Sequence, residues 1–352
     1  MQSIRVHAFG DPDVLKLEEI PAPTAGPGQV LVAIKAIGVN PVDTYIRAGK
    51  YGPRPFPYTP GFDAAGTIES VGPPLSPPLA AGNAPPPQAT GYMDAAGDKG
   101  GPSSFQPGDR VYLSRAASGS YAQKAIVDLH NVYPLPEHIS FAQGAAIGVP
   151  YGTAHRALFQ RGQVKTGETV FVHGATGGVG LATVQIARAF GCTVIGSGGS
   201  DEGRKLALRE GAHHVLDHHD ADYLKTLMDL TAGRGVDLIL EMLANVNLGK
   251  DLTVLARHGR VIVIGSRGPV EIDPRDTMSR EADIRGVMLP SATPQELIAM
   301  HAQLRVGLEN GTLRPIIDHE LPLSQAAKAH VEVLQGHSRG KIVLVPSPMP
   351  IP

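Results

Sequence analysis

The stretch VFVHGATGGVG, residues 170–180, has the residue types and spacing that speak most directly of chemistry. Gly174, Gly177, Gly178 and Gly180 lie between an apolar, β-branched run and the apolar-periodic LATVQIARAF. A strand that turns sharply into a helix leaves the first N–H groups of that helix unpaired, with the positive end of its dipole facing outward. A pyrophosphate satisfies both features, provided no side chain holds it away. Gly180 would also let the helix pack close to the strand. The spacing is G-A-T-G-G-V-G rather than G-x-G-x-x-G, so its flanking strand and helix carry much of the signal. The bland alternative is a tight turn with no ligand.

The end of the next strand bears on the type of dinucleotide. An NAD site places Asp or Glu about 20 residues past the glycine loop, to bind the ribose. Here Ser197, Gly198, Gly199 and Ser200 stand at that point, followed by Asp201, Arg204 and Lys205. Small residues with cations nearby suit a 2′-phosphate and favour NADPH over NADH; Asp201 weighs against this. HHVLDHHD, residues 213–220, gathers four histidines and two acids. Its spacing falls on a short strand and loop, where imidazoles are usually surface groups, and no metal is expected there. A single cysteine, Cys192, excludes an intramolecular disulfide and any multi-cysteine zinc site.

A chain of 352 residues predicts two domains. Apolar residues make up 42%, enough for sizeable cores, and the net charge of −2 suggests no general affinity for nucleic acid or anionic membrane. No signal peptide or transmembrane run is visible, so a soluble cytoplasmic protein is expected. Residues 1–71 read as strand-rich, with GQVLVAIKAIGV (28–39) and AAGTIESVG (64–72) as strands and little support for helix. Residues 73–104, rich in Pro, Gly and Ala, read as an exposed insertion. SFAQ (140–143) is a capping box that opens a helix. From 140 to about 290, strand and helix alternate, which implies an α/β unit with a doubly wound parallel sheet. Helices near 294–311 and 323–336 and a strand over 340–346 follow; Ser338–Gly340 reads as a plain turn.

HGATGGVGLATVQIARAFG, EMLANVNLGKDL, GRVIVIGSRG and DPRDTM, with GVNPVDTYIRAGKY and PYTPGFDAAGTIESVG near the N-terminus, resemble the zeta-crystallin-like quinone oxidoreductases. These belong to the medium-chain dehydrogenase/reductase superfamily. The resemblance spans nearly the whole chain apart from the insertion. It implies a GroES-like β-rich catalytic domain over 1–143, a Rossmann NADPH-binding domain over 144–292, and a segment 293–352 that completes the first. It also implies a homodimer or homotetramer. Carried over by motif, Tyr45 and Val287, Met288 and Leu289 lie near the nicotinamide, and Thr176, Gly177, Gly178 and Val179 at the pyrophosphate. Gly199, Lys205 and His218 fall on the adenosine side. Asn247, Ile264, Gly265, Ser266 and Arg267 line the cofactor cleft.

Zinc alcohol dehydrogenases share this superfamily architecture, but their metal-binding positions are altered here. Phe62 and Asp63 replace the His and Glu of a GHE motif, and Asn40 occupies the region of a cysteine ligand. Without a metal to polarise an oxygen, the acceptor must already be electrophilic, as a quinone or an alkene conjugated to a carbonyl is. The cofactor supplies the hydride, and the protein supplies orientation and a dry site. Tyr45 is the candidate hydrogen-bond or proton donor to the acceptor oxygen, or else an aromatic wall. Asn40 is a candidate amide donor, or else a turn residue before Pro41. The leading expectation is an NADPH:quinone oxidoreductase, and the alternative an NADPH-dependent enone reductase. The family also includes members that bind AU-rich RNA or serve as lens crystallins. This slightly acidic chain, 5% aromatic, lacks a basic stripe that would favour RNA.

Overall fold

In the computed structural model of this chain, residues 1–74, 105–336 and 339–347 are described. Apart from its first two residues, the insertion read at 73–104 lies outside them. The strands are β1 (Gln2–Arg5), β2 (Lys16–Glu19), β3 (Gln29–Gly38), β4 (Asp63–Val71), β5 (Arg110–Leu113), β6 (Lys124–Asp128), β7 (Val132–Pro134), β8 (Thr169–Val172), β9 (Thr193–Gly198), β10 (His214–Asp217), β11 (Val236–Glu241), β12 (Leu255–Val263), β13 (Asp283–Gly286), β14 (Ile317–Pro322) and β15 (Lys341–Val345). The α-helices are α1 (Pro41–Arg47), α2 (Phe141–Gly144), α3 (Gly148–His155), α4 (Gly178–Ala189), α5 (Asp201–Arg209), α6 (Tyr223–Leu230), α7 (Ala244–Val254), α8 (Pro274–Met278), α9 (Pro294–Glu309) and α10 (Ala326–Gln335). None is long and apolar enough to cross a membrane. The chain divides into two compact units, one of Met1–Gly148, His319–Gln335 and Ile342–Pro352, the other of Val149–Asp318 and Gly336–Lys341.

The first unit is built on β3, whose ten residues supply Val30, Val32, Ile34 and Ile37 to one apolar core. β3 pairs antiparallel with β4, β6 and β15 within a seven-stranded sheet. The strands read at 28–39 and 64–72 are β3 and β4. The strand-rich reading of residues 1–71 omitted α1, which starts with Pro41 at its first turn. The Asp43 carboxylate accepts the Asn40 N–H at 2.9 Å and satisfies a donor that the helix leaves unpaired. Local capping outweighs the extended character of the flanking sequence.

The second unit is the alternating part. β8 and β11 are mostly Val, Ile, Leu and Phe, and they and β9 are buried on both faces, as parallel strands covered by helices must be. The sheet order is β10-β9-β8-β11-β12-β13, with the paired strands parallel. The chain runs outward from β8 to β10 on one side, then crosses to β11 on the other. The carboxyl ends of β8 and β11 therefore flank the topological switch point, where doubly wound sheets bind ligands.

The expected return to the first unit at residue 293 differs from the division observed. α9 belongs to the second unit, and the first resumes at His319. Thr293 and Glu296 cap α9 reciprocally. Glu296 also pairs with Arg156 at 2.8 Å, and Gln303 lies 2.8 Å from the His155 ring. These bonds, with Met300, Leu304 and Leu308 buried, tie the helix to its own unit.

Candidate functional site

All the cofactor residues expected in the second unit follow the carboxyl ends of its parallel strands. Thr176–Val179 follow β8, Gly199 follows β9, His218 follows β10, and Asn247 lies on α7 just after β11. Ile264–Arg267 follow β12, and Val287–Leu289 follow β13.

Gly174 adopts φ +57°, a left-handed conformation that an L side chain rarely takes. A Cβ on Gly180 would stand 2.2 Å from the Gly174 carbonyl oxygen, so only glycine lets the first turn of α4 close onto the loop. Gly177 is the N-cap of α4 and brings no side-chain acceptor to the helix N–H groups. On Gly178, by contrast, a Cβ would find its nearest neighbour, Pro150, at 3.5 Å. A loop that is crowded beneath and bare at the helix start suits a pyrophosphate. Arg339 and Gly340 do more than turn the chain. Gly340 donates its N–H to the Thr176 carbonyl at 3.0 Å and bridges Gly177, so a tail segment buttresses the glycine loop. The reading of a plain turn is corrected on this point; a backbone bond between residues far apart in sequence leaves no local pattern.

β9 ends on Ser197 and Gly198 rather than on a carboxylate. The His218 and His219 Nε2 atoms lie about 3 Å from where a Gly199 Cβ would sit, so these imidazoles border that glycine. Lys205 pairs with Asp201 at 2.6 Å on the exposed face of α5, and each raises the other's preference for its charged form. Arg204 pairs with Asp217 at 2.8 Å. Asp201 is thus tied to the cation beside it. His213, in the histidine-rich run, accepts the Val194 N–H at 2.9 Å and serves the fold.

After β12, the backbone of Ile264 and Gly265 donates to the Glu241 carbonyl, and the Arg267 N–H donates to Asn245 Oδ1 at 2.8 Å. Asn247 donates to Glu241 Oε1 at 3.2 Å, and the Leu243 N–H donates to the same oxygen. Glu241 in turn faces His173, the residue before the glycine loop, and Asp251 on α7. His173 Nε2 lies 2.7 Å from Asp251 Oδ1 and 3.1 Å from Glu241 Oε2. All three side chains are buried. Burial pushes both carboxyls up, to about 7, and lowers the imidazole. Their ligand-type atoms lie within 4.8 Å of one another, and among the described residues this is the cluster compact enough for a cation. Sequence reading missed it. Its local signal is that the apolar runs VFV and VDLIL are followed by a His and a Glu; Asp251, ten residues after Glu241, joins only in three dimensions.

In the first unit, Tyr45 is half-buried on α1, with Lys50 Nζ 5.7 Å from its ring centre. Asn40 is 2% exposed and donates its amide to Asp63 Oδ2 at 3.0 Å and toward the Gly38 carbonyl at 3.5 Å. Both of its donors are spent inside the fold, so its role as an amide donor to a substrate is replaced by a structural one. Tyr121 donates to Asp43 Oδ2 at 3.3 Å and lies 3.1 Å from His330 Nε2. Burial raises the Tyr121 hydroxyl well above its usual range and lowers His330 to about 3.

These positions do not fit a catalytic or structural zinc. Phe62 offers no ligand atom, Asp63 is engaged with Asn40, and Cys192 is buried at the start of β9 with its thiol pushed up to about 11 by burial. A GroES-like unit with a Rossmann unit and a glycine loop at its switch point defines a nicotinamide-dependent oxidoreductase of the medium-chain superfamily. Residues 26–137 match the alcohol dehydrogenase GroES-like domain, and 178–304 match the zinc-binding dehydrogenase family. The human quinone oxidoreductase is 47% identical over 98% of both chains. The structure of the Escherichia coli quinone oxidoreductase complexed with NADPH aligns with a TM-score of 0.83 and 26% identity, covering 98% of this chain and 100% of that one. A mycobacterial protein complexed with NADPH aligns with a TM-score of 0.84 and 29% identity, covering 98% and 100%. The chain belongs to the quinone oxidoreductase family, zeta-crystallin type.

Proposed function

We propose that this protein is an NADPH-dependent quinone reductase that works without zinc. The observation that carries this reading is the glycine loop, which presents bare helix amides at the switch point. Thr176–Val179 would hold the pyrophosphate. Gly199, Lys205 and His218 would meet the adenosine end, with Arg204 and Lys205 as cations for a 2′-phosphate. Asn247, Ile264–Arg267 and Val287–Leu289 would carry the remainder toward the nicotinamide. When bound, the reduced nicotinamide supplies the hydride. This chain's residues bind, orient and exclude water, and the acceptor brings its own electrophilicity. Tyr45 is assigned to donate a hydrogen bond to the acceptor oxygen.

Steady-state rates with 1,2-naphthoquinone and 9,10-phenanthrenequinone against medium-chain enones, each with NADPH and NADH, test the reading. Quinone turnover with NADPH is expected; turnover of enones alone would assign the protein to enone reduction instead. Tyr45→Phe is expected to lower kcat about tenfold, the cost of roughly one hydrogen bond, and to leave the Kd for NADPH unchanged. A labelled AU-rich RNA that displaces NADPH would support the RNA-binding alternative. The protein is expected to form homodimers or homotetramers. Edge strand β13, with exposed Ile284 on it and exposed Met288 two residues beyond its end, is a surface suited to self-association, which sedimentation would read.

A further inference from the structure

The buried cluster beneath the switch point has no role in the reaction as described. His173 directly follows β8, Glu241 ends β11, and Asp251 stands on α7, so the cluster joins the two strands that flank the crevice to the helix that follows. Two carboxyls in such a place must be compensated, because an isolated buried carboxylate is costly. A neutral imidazole has one N–H. Given to Asp251 Oδ1 at 2.7 Å, it leaves Glu241 Oε2 and Asp251 Oδ2 buried without a donor. The ligand atoms of the three side chains all lie within 4.8 Å of one another, so the two carboxyls are close neighbours. A single acid proton between them supplies the missing donor.

We propose that Glu241 is a positioning residue for the dinucleotide, and that one proton held between Glu241 and Asp251 keeps it in place. Its Oε1 accepts from the Leu243 N–H and from Asn247, and its carbonyl accepts from the Ile264 and Gly265 N–H groups. One residue thus fixes the start of α7 and the loop after β12, which together carry Asn247 and Ile264–Arg267. Its neighbour His173 leads directly into the glycine loop. The inference rests on the proposed dinucleotide site.

Burial raises both carboxyls far above the usual carboxylate range, so the pair keeps its proton near neutral pH and loses it as the pH rises further. Two ionised carboxylates then repel within the cluster, and the hold on Asn247 and Leu243 loosens. The other titratable groups that face the cluster are Tyr223 on α6 and His218 after β10. Tyr223 is pushed up to about 12 by burial and stays neutral through this range. Burial lowers His218, which keeps it neutral on the alkaline side.

The test is the affinity of the full-length protein for NADPH, and for NADH as a control without the 2′-phosphate, from pH 6 to 8.5. For both dinucleotides the wild type is expected to bind about tenfold more weakly at the alkaline end. Glu241→Gln mimics the protonated acid, since its carboxamide oxygen still accepts and its NH2 donates to Asp251; it should keep the low-pH affinity throughout. Glu241→Ala should be about tenfold weaker at every pH. If Glu241→Ala does not fold, Glu241→Gln and Asp251→Asn, both expected to give flat profiles, decide the matter. An independent readout is the infrared band of a protonated carboxylic acid in the cofactor-free protein, expected at pH 6 and absent in Glu241→Gln. This band reports on the proton even if the wild type binds no dinucleotide, which would sink the functional reading instead. The inference is overturned if Glu241→Gln keeps the wild-type pH profile, if the band is missing, or if elemental analysis finds a stoichiometric divalent cation that Glu241→Gln loses.

Discussion

In the first unit, Asn40 gives its amide to Asp63, Asp43 takes the Asn40 N–H, and Tyr121 bridges Asp43 to His330. In the second, His173, Glu241 and Asp251 form a smaller cluster that is also buried. In the first, donors and acceptors alternate: amide to carboxylate, hydroxyl to carboxylate. The second sets two acids against one imidazole, so one mobile proton must fill the gap. The first cluster has one arrangement across neutral pH, because Tyr121 and His330 are both held neutral far from pH 7. The second has two arrangements, and it stands where the parallel strands deliver their ligand-binding loops. A buried polar cluster answers to pH when its carboxyls outnumber the donors that face them and a proton can supply the one that is missing.

The largest effect that would sharpen this contrast comes from Gly180→Val. Its side chain would collide with the Gly174 carbonyl and the Ala175 backbone. Affinity for NADPH should fall more than about 100-fold, and overpacking of about 1–3 kcal/mol should lower the melting temperature by several degrees. Calorimetry and a thermal melt read both.

Next comes Asn40→Ala, which leaves the buried Asp63 carboxylate without its amide donor. A loss of about 1–3 kcal/mol is expected in the melting of the first unit, with the NADPH Kd within about twofold of wild type. A Kd shifted fivefold with melting unchanged would break the contrast, by giving Asn40 a part in binding rather than folding.

The smallest effect is expected from Lys205→Ala. Its present partner is the exposed Asp201, and its contribution is one point charge toward a 2′-phosphate. A few-fold weaker binding of NADPH, with NADH unchanged, is expected in parallel titrations; equal loss for both dinucleotides would remove Lys205 from the phosphate.

Much of this was legible in order along the chain. The strand–glycine–helix passage at 169–189, the bare end of β9 and the capping box at Ser140 are local patterns, set by hydrophobic period and turn chemistry within a few residues. α1 was missed because its cap depends on Asp43 turning back on Asn40 within proline-punctuated, strand-like sequence.

The residue order by itself determined the alternation of the second unit, the amides that suit a diphosphate, and the presence of Phe62, Asp63 and a single cysteine in place of a zinc-ligand motif. Each is a matter of residue type at short range. Only the tertiary structure decided that Asn40 faces inward to Asp63, that Gly340 supports Thr176, and that Asp251 meets His173 across 78 positions of chain. Hydrogen bonds between distant segments depend on how strands are ordered in the sheet, and that order is set by packing rather than by any neighbouring residue.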